Sequence, residues 1–153
     1  MNLVTTREAR IEDLDTLLEF EQGVIEAERP LDPFLKKGSI NYYDIEKLIS
    51  SENVHLVVAT SNEEIVGSGY VRIENSGSYH KNEQNGYIGF MYVKPSFRGK
   101  RISAVVLESL KEWSKNKGLK ELRLDVYNAN LAAIKSYERF GFNKSLVNMR
   151  MEI

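Results

Sequence analysis

The segment 86–103 constrains the fold most, because a strand, a tight turn and a helix must follow one another there without a spacer. Residues 86–93 read GYIGFMYV, and such an apolar run is typical of a buried strand. Pro95 ends the strand, since proline has no N–H for ladder bonding. Beyond the turn, apolar residues recur at helical spacing: Ile102, Val106, Leu110 and Trp113. We therefore predict a strand, a turn over 94–101 and a helix that begins at Ile102.

The chemistry of this turn suits an anion. The first turn of a helix carries unbonded N–H groups and the positive end of the helix dipole. Four cations surround it in the sequence: Lys94, Arg98, Lys100 and Arg101. The segment therefore predicts a pyrophosphate site, and the alternative interpretation is a solvated basic turn between two packed elements. The turn matches neither a P-loop nor the GxGxxG fingerprint.

Length and composition narrow the classes of protein. The 153 residues suit one domain spanning 1–153, and the net charge of −1 provides no overall field that attracts nucleic acid or a membrane surface. The absence of cysteine excludes disulfides, thiolate catalysis and cysteine-bound metals. His55 and His80 are far apart in sequence, so we expect no metal site. No signal-like segment and no apolar run of ~18 residues is present, and a cytoplasmic protein is expected.

The remaining pattern predicts an α/β fold with a mixed sheet and helices on both faces. Helices are predicted from Asp13 to Pro30, over 41–50 and over 131–140, the last with Asn130 as N-cap and Gly141 after its end. The other predicted strands are 3–9, 54–60, 65–73, 121–127, 142–146 and 148–152. The polar segment 74–84 is predicted to be a loop.

Two separated segments resemble the Gcn5-related N-acetyltransferase (GNAT) superfamily. Segment 91–110, MYVKPSFRGKRISAVVLESL, resembles its acetyl-CoA-binding signature of strand, Arg/Gln-x-x-Gly-x-Gly/Ala and helix. Segment 122–142, LRLDVYNANLAAIKSYERFGF, resembles its C-terminal signature, which falls here on Asn130, Ala133, Tyr137, Glu138, Gly141 and Phe142. The opening TREARIEDLDTLLEF is similar to the first strand and helix of the family. The resemblance implies a strongly twisted mixed sheet and acetyl-CoA as cosubstrate.

The resemblance also implies roles for particular residues. Backbone N–H groups would bind the CoA pyrophosphate at Arg98, Gly99, Lys100, Arg101, Ile102 and Ser103. Main-chain groups of Met91, Tyr92 and Val93 would contact the pantetheine where the strand splays at a bulge, and the Val93 N–H would polarise the thioester oxygen. Asn130 would either cap its helix or contact the pantetheine, and the small Ala133 would let the cofactor pass.

Tyr137 would protonate the departing thiolate, and the nearby basic turn could offset the uphill transfer by lowering the pKa of its phenol. The alternative for Tyr137 is a packed aromatic side chain whose hydroxyl lies at the surface.

The sequence departs from the family pattern in two places. Arg101 and Ser103 stand where the signature has Gly and Gly/Ala, although the N–H of Arg101 remains available to phosphate. Many members carry a glutamate base near the position of Gly89, and this chain has no acidic residue between Gln84 and Val93. Weak candidates for the base are Glu28, Asp44, Glu83 and Asp125, and a water chain is the alternative.

The predicted function is direct acetyl transfer from acetyl-CoA to a primary amine of a small molecule or a protein. Acidic residues on the first helix pair favour a cationic acceptor: Glu26, Glu28, Asp32, Asp44 and Glu46. A non-catalytic acyl-CoA-binding sensor is the alternative, supported by the missing strand glutamate. A third interpretation, a nucleic-acid-binding module, is supported only by the cations of 94–101. The net charge of −1 argues against this interpretation. The oligomeric state stays open between monomer and homodimer.

Overall fold

A computed structural model describes residues 3–153 and contains, within that range, five strands and four α-helices. The strands are β1 Val4–Glu8, β2 Val54–Ser61, β3 Glu64–Asn75, β4 Gln84–Val93 and β5 Leu122–Leu124. The helices are α1 Leu14–Glu28, α2 Ile45–Ser50, α3 Ile102–Asn116 and α4 Leu131–Phe140. Short 3-10 turns at Ile11–Asp13 and Pro95–Phe97 precede α1 and follow β4.

The strands form one mixed sheet in the order β1-β2-β3-β4-β5, which confirms the predicted α/β class. The first four strands pair antiparallel, and β5 pairs parallel with β4. Parallel neighbours need a crossover connection, and α3 supplies it. β2 and β3 are joined through Asn62 and Glu63, both at positive φ, as the twist of a two-residue hairpin requires.

Two apolar cores lie on opposite faces of the sheet. Side chains alternate along β2, so Val58 joins the core under α1 and α2 while Val57 joins the core under α3. Phe20 and Phe90 belong to the first core, and Ile102 belongs to the second. Helices therefore cover both faces, as the sequence predicted.

The end of the chain differs from the prediction. The strands expected at 142–146 and 148–152 are wrong, because within the described range no strand follows α4. A strand needs a neighbouring edge for its backbone groups, and residues 143–153 make no backbone–backbone hydrogen bond to any other described residue. β5 is also shorter than the predicted 121–127, and α2 begins only at Ile45, after its cap Asp44. Of the helices in 3–153, none has the length and apolar character needed to cross a bilayer.

Candidate functional site

A gap opens between β4 and β5, at the end of the sheet where β4 meets the basic turn. The pairing of the two strands stops at Ile88 and Leu124, whereas β4 continues to Val93 beside β3. Lys94 donates its N–H to the carbonyl of Val66 on β3, 2.8 Å away. Because successive N–H groups in an antiparallel ladder alternate in direction, the Val93 N–H faces the gap.

A bulge in β4 produces this divergence. Ser68 of β3 faces Tyr92, but Tyr70 faces Gly89, so β4 carries one extra residue between these pairs. Phe90 has a φ of +54°, a left-handed conformation that non-glycine residues rarely adopt. Its carbonyl accepts a 3.0 Å hydrogen bond from the Ser68 hydroxyl, which fixes the distortion. The structure thus has both the bulge and the splayed strands that the resemblance implied.

The turn that follows β4 brings unbonded N–H groups to the mouth of the gap. Gly99 has a φ of +78° and Arg101 a φ of +62°, and α3 begins at the next residue. Within residues 3–153, no side chain accepts from the N–H groups of its first turn. The left-handed conformation at 101 explains why a glycine suits this position, and an arginine there costs about 1–2 kcal/mol of backbone strain.

The cations of the turn are not equivalent. Lys94 forms a 2.7 Å ion pair with Glu64, and the Nε of Arg98 donates to the Val93 carbonyl over 3.0 Å. Arg101 is exposed and lines a groove of about 180 Å³ between α3 and α4, together with Lys111 and Arg139. Glu108 also lines this groove, and exposed Lys100 lies over the Phe97 ring, so the positive charge available to an anion is shared between the groove and the turn.

Helix α4 borders the gap on its other side. The Asn130 Oδ1 accepts the N–H of Ala133 over 3.2 Å, which confirms the helix cap. The hydroxyls of Ser103 and Ser136 lie 3.1 Å apart and join α3 to α4. The structure therefore brings the predicted residues of the turn and of α4 to the same end of the sheet.

Tyr137 lies on α4 at the edge of the core under α3. Its ring meets Phe142 edge-on, with the ring centroids 6.1 Å apart. Within residues 3–153 its hydroxyl has no hydrogen-bond partner. Burial, and secondly the negative charge of Glu28, raise the pKa of Tyr137 to about 12. No cation of the basic turn offsets these two effects, so the pKa of Tyr137 lies above that of an ordinary phenol.

Carboxylates and tyrosines meet beside the gap in what we call the acidic cluster, which consists of Glu28, Asp32, Tyr42 and Tyr127. The Tyr42 hydroxyl donates to Glu28 over 2.8 Å, and the Tyr127 hydroxyl donates to Asp32 over 2.7 Å. Arg150 donates to the other oxygen of Asp32 over 2.8 Å. Buried Glu21 positions Tyr42 by accepting the N–H groups of Tyr42 and Tyr43 over 3.0 and 2.7 Å.

The two carboxyl groups of this cluster differ in electrostatics. The hydrogen bond from Tyr127, reinforced by Arg150, holds the pKa of Asp32 below its usual range. Burial raises the pKa of Glu28, since desolvation exceeds the stabilising hydrogen bond from Tyr42. Glu28 is thus poised to exchange a proton nearer to neutral pH than an ordinary carboxylate.

The other candidates for a base are engaged elsewhere. Asp44 caps α2 by accepting the N–H of Lys47, and Asp125 accepts the Tyr87 hydroxyl over 3.0 Å. Glu83 is exposed in the loop before β4. Among the four, Glu28 is the one whose charge reaches Tyr137.

Tyr70 occupies the space in which a side chain at 89 of the central strand would lie. A Cβ on Gly89 would clash with the Tyr70 hydroxyl. Tyr70 also lines a second pocket, of about 310 Å³, with Tyr42, Tyr43 and Arg72. Sequence reasoning missed these tyrosines, because a tyrosine in a strand pattern or an irregular connection is an ordinary packing residue. Their one indirect signal in the sequence is Gly89 itself, which stands near the position where the resemblance implied a glutamate.

Comparison with known families agrees with this geometry. The model of the "Acetyltransferase (GNAT) family" matches residues 15–142. The chain belongs to the GNAT family. The matched region contains the splayed strands, the turn and α4, and GNAT proteins use acetyl-CoA.

Individual relatives extend the match over nearly the whole chain. An "IAA acetyltransferase" of Azospirillum brasilense is 27% identical over 143 residues, which cover 92% of this GNAT chain and 84% of that protein. The tetramutant of the BH1408 protein from Bacillus halodurans superposes with a TM-score of 0.85 at 19% identity, covering 97% and 99% of the two chains. A predicted acetyltransferase with acetyl-CoA from Clostridium acetobutylicum superposes with a TM-score of 0.72 at 18% identity. The superposition covers 98% of this chain and 96% of that chain.

Proposed function

We propose that this GNAT protein transfers the acetyl group of acetyl-CoA directly to a primary amine in the cytoplasm. The observation that carries the proposal is the gap between β4 and β5. It opens between an uncapped helix start and a pair of proton-exchanging side chains, Glu28 and Tyr137. A module that only binds acetyl-CoA would need the uncapped helix start alone. Acetyl transfer also needs side chains that exchange protons beside the gap.

The gap and the turn fit the parts of acetyl-CoA, whose thioester supplies the acetyl group. The N–H groups of 98–103 would bind the pyrophosphate, and residues 91–93 would contact the pantetheine with their main chain. Arg101, Lys111 and Arg139 in the neighbouring groove would bind the phosphate oxygens that the N–H groups of 98–103 do not reach. Asn130 caps α4 with its carbonyl oxygen and keeps its amide group available for the cofactor arm.

Three groups of this chain would then act on the reaction. The Val93 N–H faces the gap and would polarise the thioester oxygen. Glu28 would accept the proton that the acceptor ammonium must lose before its nitrogen bonds to the acetyl carbon. Tyr137 would supply a proton to the thiolate as the carbon–sulfur bond breaks. The chain has no cysteine to form a covalent intermediate, which favours direct transfer.

The acidic cluster favours a cationic acceptor. Arg150 already compensates Asp32, while Glu28 has only the neutral Tyr42 as hydrogen-bond partner within the described residues. An ammonium group that enters there gains an ion pair in a partly desolvated site. The neighbouring tyrosine-lined pocket would hold the rest of the acceptor. We infer an acceptor that presents a primary amine on an extended, partly apolar body.

The test is a screen of polyamines, aminoglycosides and lysine peptides with acetyl-CoA, read out by release of the free thiol. Turnover on at least one primary amine is the expected result. Tight acetyl-CoA binding without turnover on any amine would instead identify the alternative, a non-catalytic acyl-CoA sensor.

Acetyl-CoA is expected to raise the melting temperature, because it binds only the folded chain. At a ligand concentration of ~100 Kd, the free energy of unfolding increases by ~2.7 kcal/mol. Gly99→Val should weaken binding, since a β-branched residue tolerates the φ of +78° poorly. Gly99→Asn is the matched control, because asparagine visits the left-handed region more readily and should retain most of the affinity.

Calorimetry and thermal melting with millimolar acetyl-CoA measure both effects. Absence of heat and of stabilisation in the unaltered protein would remove the basis of the proposed function.

A further inference from the structure

A row of three tyrosine rings extends from the acidic cluster to the guanidinium of Arg72. The Tyr42 hydroxyl, which is bonded to Glu28, marks one end of this row. The ring of Tyr43 meets Tyr42 edge-on with the centroids 5.7 Å apart, and it meets Tyr70 edge-on at 6.1 Å. At the other end, the Nη1 of Arg72 lies 3.4 Å from the Tyr70 hydroxyl. The tyrosine-lined pocket therefore has a carboxylate beside one end and a guanidinium at the other.

Arg72 is held so that one of its nitrogens can meet a ligand. Its Nε and Nη2 both bond to the same oxygen of Glu74, at 2.7 and 2.6 Å. The Cζ of Arg72 lies 4.7 Å from the centroid of the Tyr87 ring, which supports one face of the guanidinium. Within residues 3–153, the Nη1 makes only the long hydrogen bond to Tyr70. The orientation of the guanidinium is thus fixed, and Nη1 still has an N–H group to offer a negatively charged oxygen.

Tyr70 provides a second donor beside the Nη1 of Arg72. Arginine can only donate, so the Tyr70 hydroxyl accepts from it and must direct its own proton elsewhere. Tyr70 is 3% exposed, and within the described chain no group accepts that proton. Burial raises the pKa of Tyr70, so the hydroxyl remains protonated at neutral pH. Two neighbouring donors with no protein acceptor suit the two oxygens of a carboxylate.

Two further charged side chains line the pocket, Lys47 and Asp44. The Oδ1 of Asp44 accepts the backbone N–H of Lys47 over 3.2 Å at the start of α2, so the negative charge of Asp44 serves the helix cap. The ammonium group of Lys47 is exposed and forms no ion pair with any residue of 3–153. An anion in the pocket would therefore meet two cations, those of Lys47 and Arg72.

We propose that the acceptor is zwitterionic, with a primary amine at one end of its body and a carboxylate at the other, as in an ω-amino acid. The inference rests on the proposed function, because it concerns the acceptor of that reaction. The amine lies at Glu28, the body lies along the tyrosine rings, and the carboxylate bonds to Arg72 and Tyr70 near Lys47. A polyamine would bring a second positive charge to Arg72, so the pocket selects against it.

Matched acceptors test the negative charge. ω-Amino acids of increasing length are each compared with their own amides, which keep the amine and the body but lack the charge. The kcat/KM of the best acid should exceed that of its amide at least ~10-fold, as expected for hydrogen bonds to a charged group. ω-Aminophosphonates of the same lengths form the third arm. A phosphonate that exceeds the acid would assign the site to a tetrahedral oxyanion and overturn the carboxylate.

Variants test the residues. Arg72→Gln should remove most of the preference by raising the KM of the acid, with the KM of the amide nearly unchanged. Arg123→Gln is the matched control, because Arg123 pairs with Glu121 through the same two nitrogens, at 3.0 and 2.9 Å, and does not line the pocket. Tyr70→Phe keeps the ring and should lose part of the preference. A preference that persists in both Arg72→Gln and Tyr70→Phe would overturn the proposal.

Equilibrium binding separates this inference from the proposed function. NMR titration of the acid and of its amide into the protein gives two Kd values that do not depend on acetyl transfer. Tighter binding of the acid, abolished by Arg72→Gln, would support the carboxylate site even in a protein that acetylates no amine. Acids that bind no better than their amides would overturn the inference, and in an active enzyme they would leave the proposed function intact.

Discussion

Glu28→Gln is expected to lower kcat by about 10²-fold or more, the usual contribution of a general base. The amide keeps the size of the side chain and its contact with Tyr42 but cannot accept the ammonium proton. Glu28 lies in the acidic cluster, away from the turn at 98–103, so the Kd of acetyl-CoA should stay within a few-fold. Steady-state kinetics on an acceptor found in the screen, with a cofactor titration, measure both quantities.

The pH profile gives a second readout for Glu28. Burial raises its pKa, so the protonated, inactive form persists to a higher pH than for an ordinary carboxyl group. Activity should therefore rise with pH through this raised pKa, and Glu28→Gln should remove that rise. Glu26→Gln is the matched control, because Glu26 lies on the same helix, is exposed and pairs with Arg29. An unaltered kcat and profile in Glu28→Gln would assign proton removal to water.

Tyr137→Phe is expected to lower kcat at least ~10-fold. General-acid catalysis usually contributes ~10²–10⁴-fold, but the effect is smaller here because a thiolate is a good leaving group even without protonation. The raised pKa, about 12, keeps the hydroxyl protonated at neutral pH and therefore able to donate. Full transfer to a thiolate of pKa ~8.5 is uphill by ~5 kcal/mol. We therefore expect the proton to move only as the carbon–sulfur bond breaks.

The stability of the Tyr137→Phe variant separates catalysis from packing. The hydroxyl has no hydrogen-bond partner within residues 3–153, so its removal should leave the melting temperature and the Kd of acetyl-CoA nearly unchanged. Tyr79→Phe, at an 88% exposed loop position, controls for loss of a phenol. If kcat is also unchanged, Tyr137 is a packing residue.

Local signals predicted the helices around the site well. The boundaries of α4 agree with the predicted 131–140, because Asn130 and Gly141 determine the two ends through contacts within a few residues. The start of α3 at Ile102 agrees for a similar reason, since the turn before it is short and contains Gly99.

Features that depend on distant contacts could not be predicted in the same way. The acidic cluster joins residues from α1, from the segments around α2 and from beyond β5, and the sequence offered Glu28 only as one of four candidates. The strands predicted at 142–146 and 148–152 did not form, because an alternating pattern does not specify an edge that will accept the strand. Positive φ at Phe90 likewise follows from the register of β3 against β4 rather than from the residue itself.

The short pairing between β4 and β5 divides the sheet into a strongly connected part, β1 to β4, and a weakly attached part that contains β5. β1 to β4 are joined by long antiparallel ladders, whereas β5 is attached to them through three residue pairs. Proteins unfold partially where few contacts join two parts. We therefore expect β5 and α4 to unfold together, with a lower free energy of opening than β1 to β4. A molecule bound in the gap contacts both parts and adds its binding free energy to the cost of that opening. The rigidity of the C-terminal part therefore depends on whether the gap is filled, and amide protection there would report cosubstrate occupancy in the living cell.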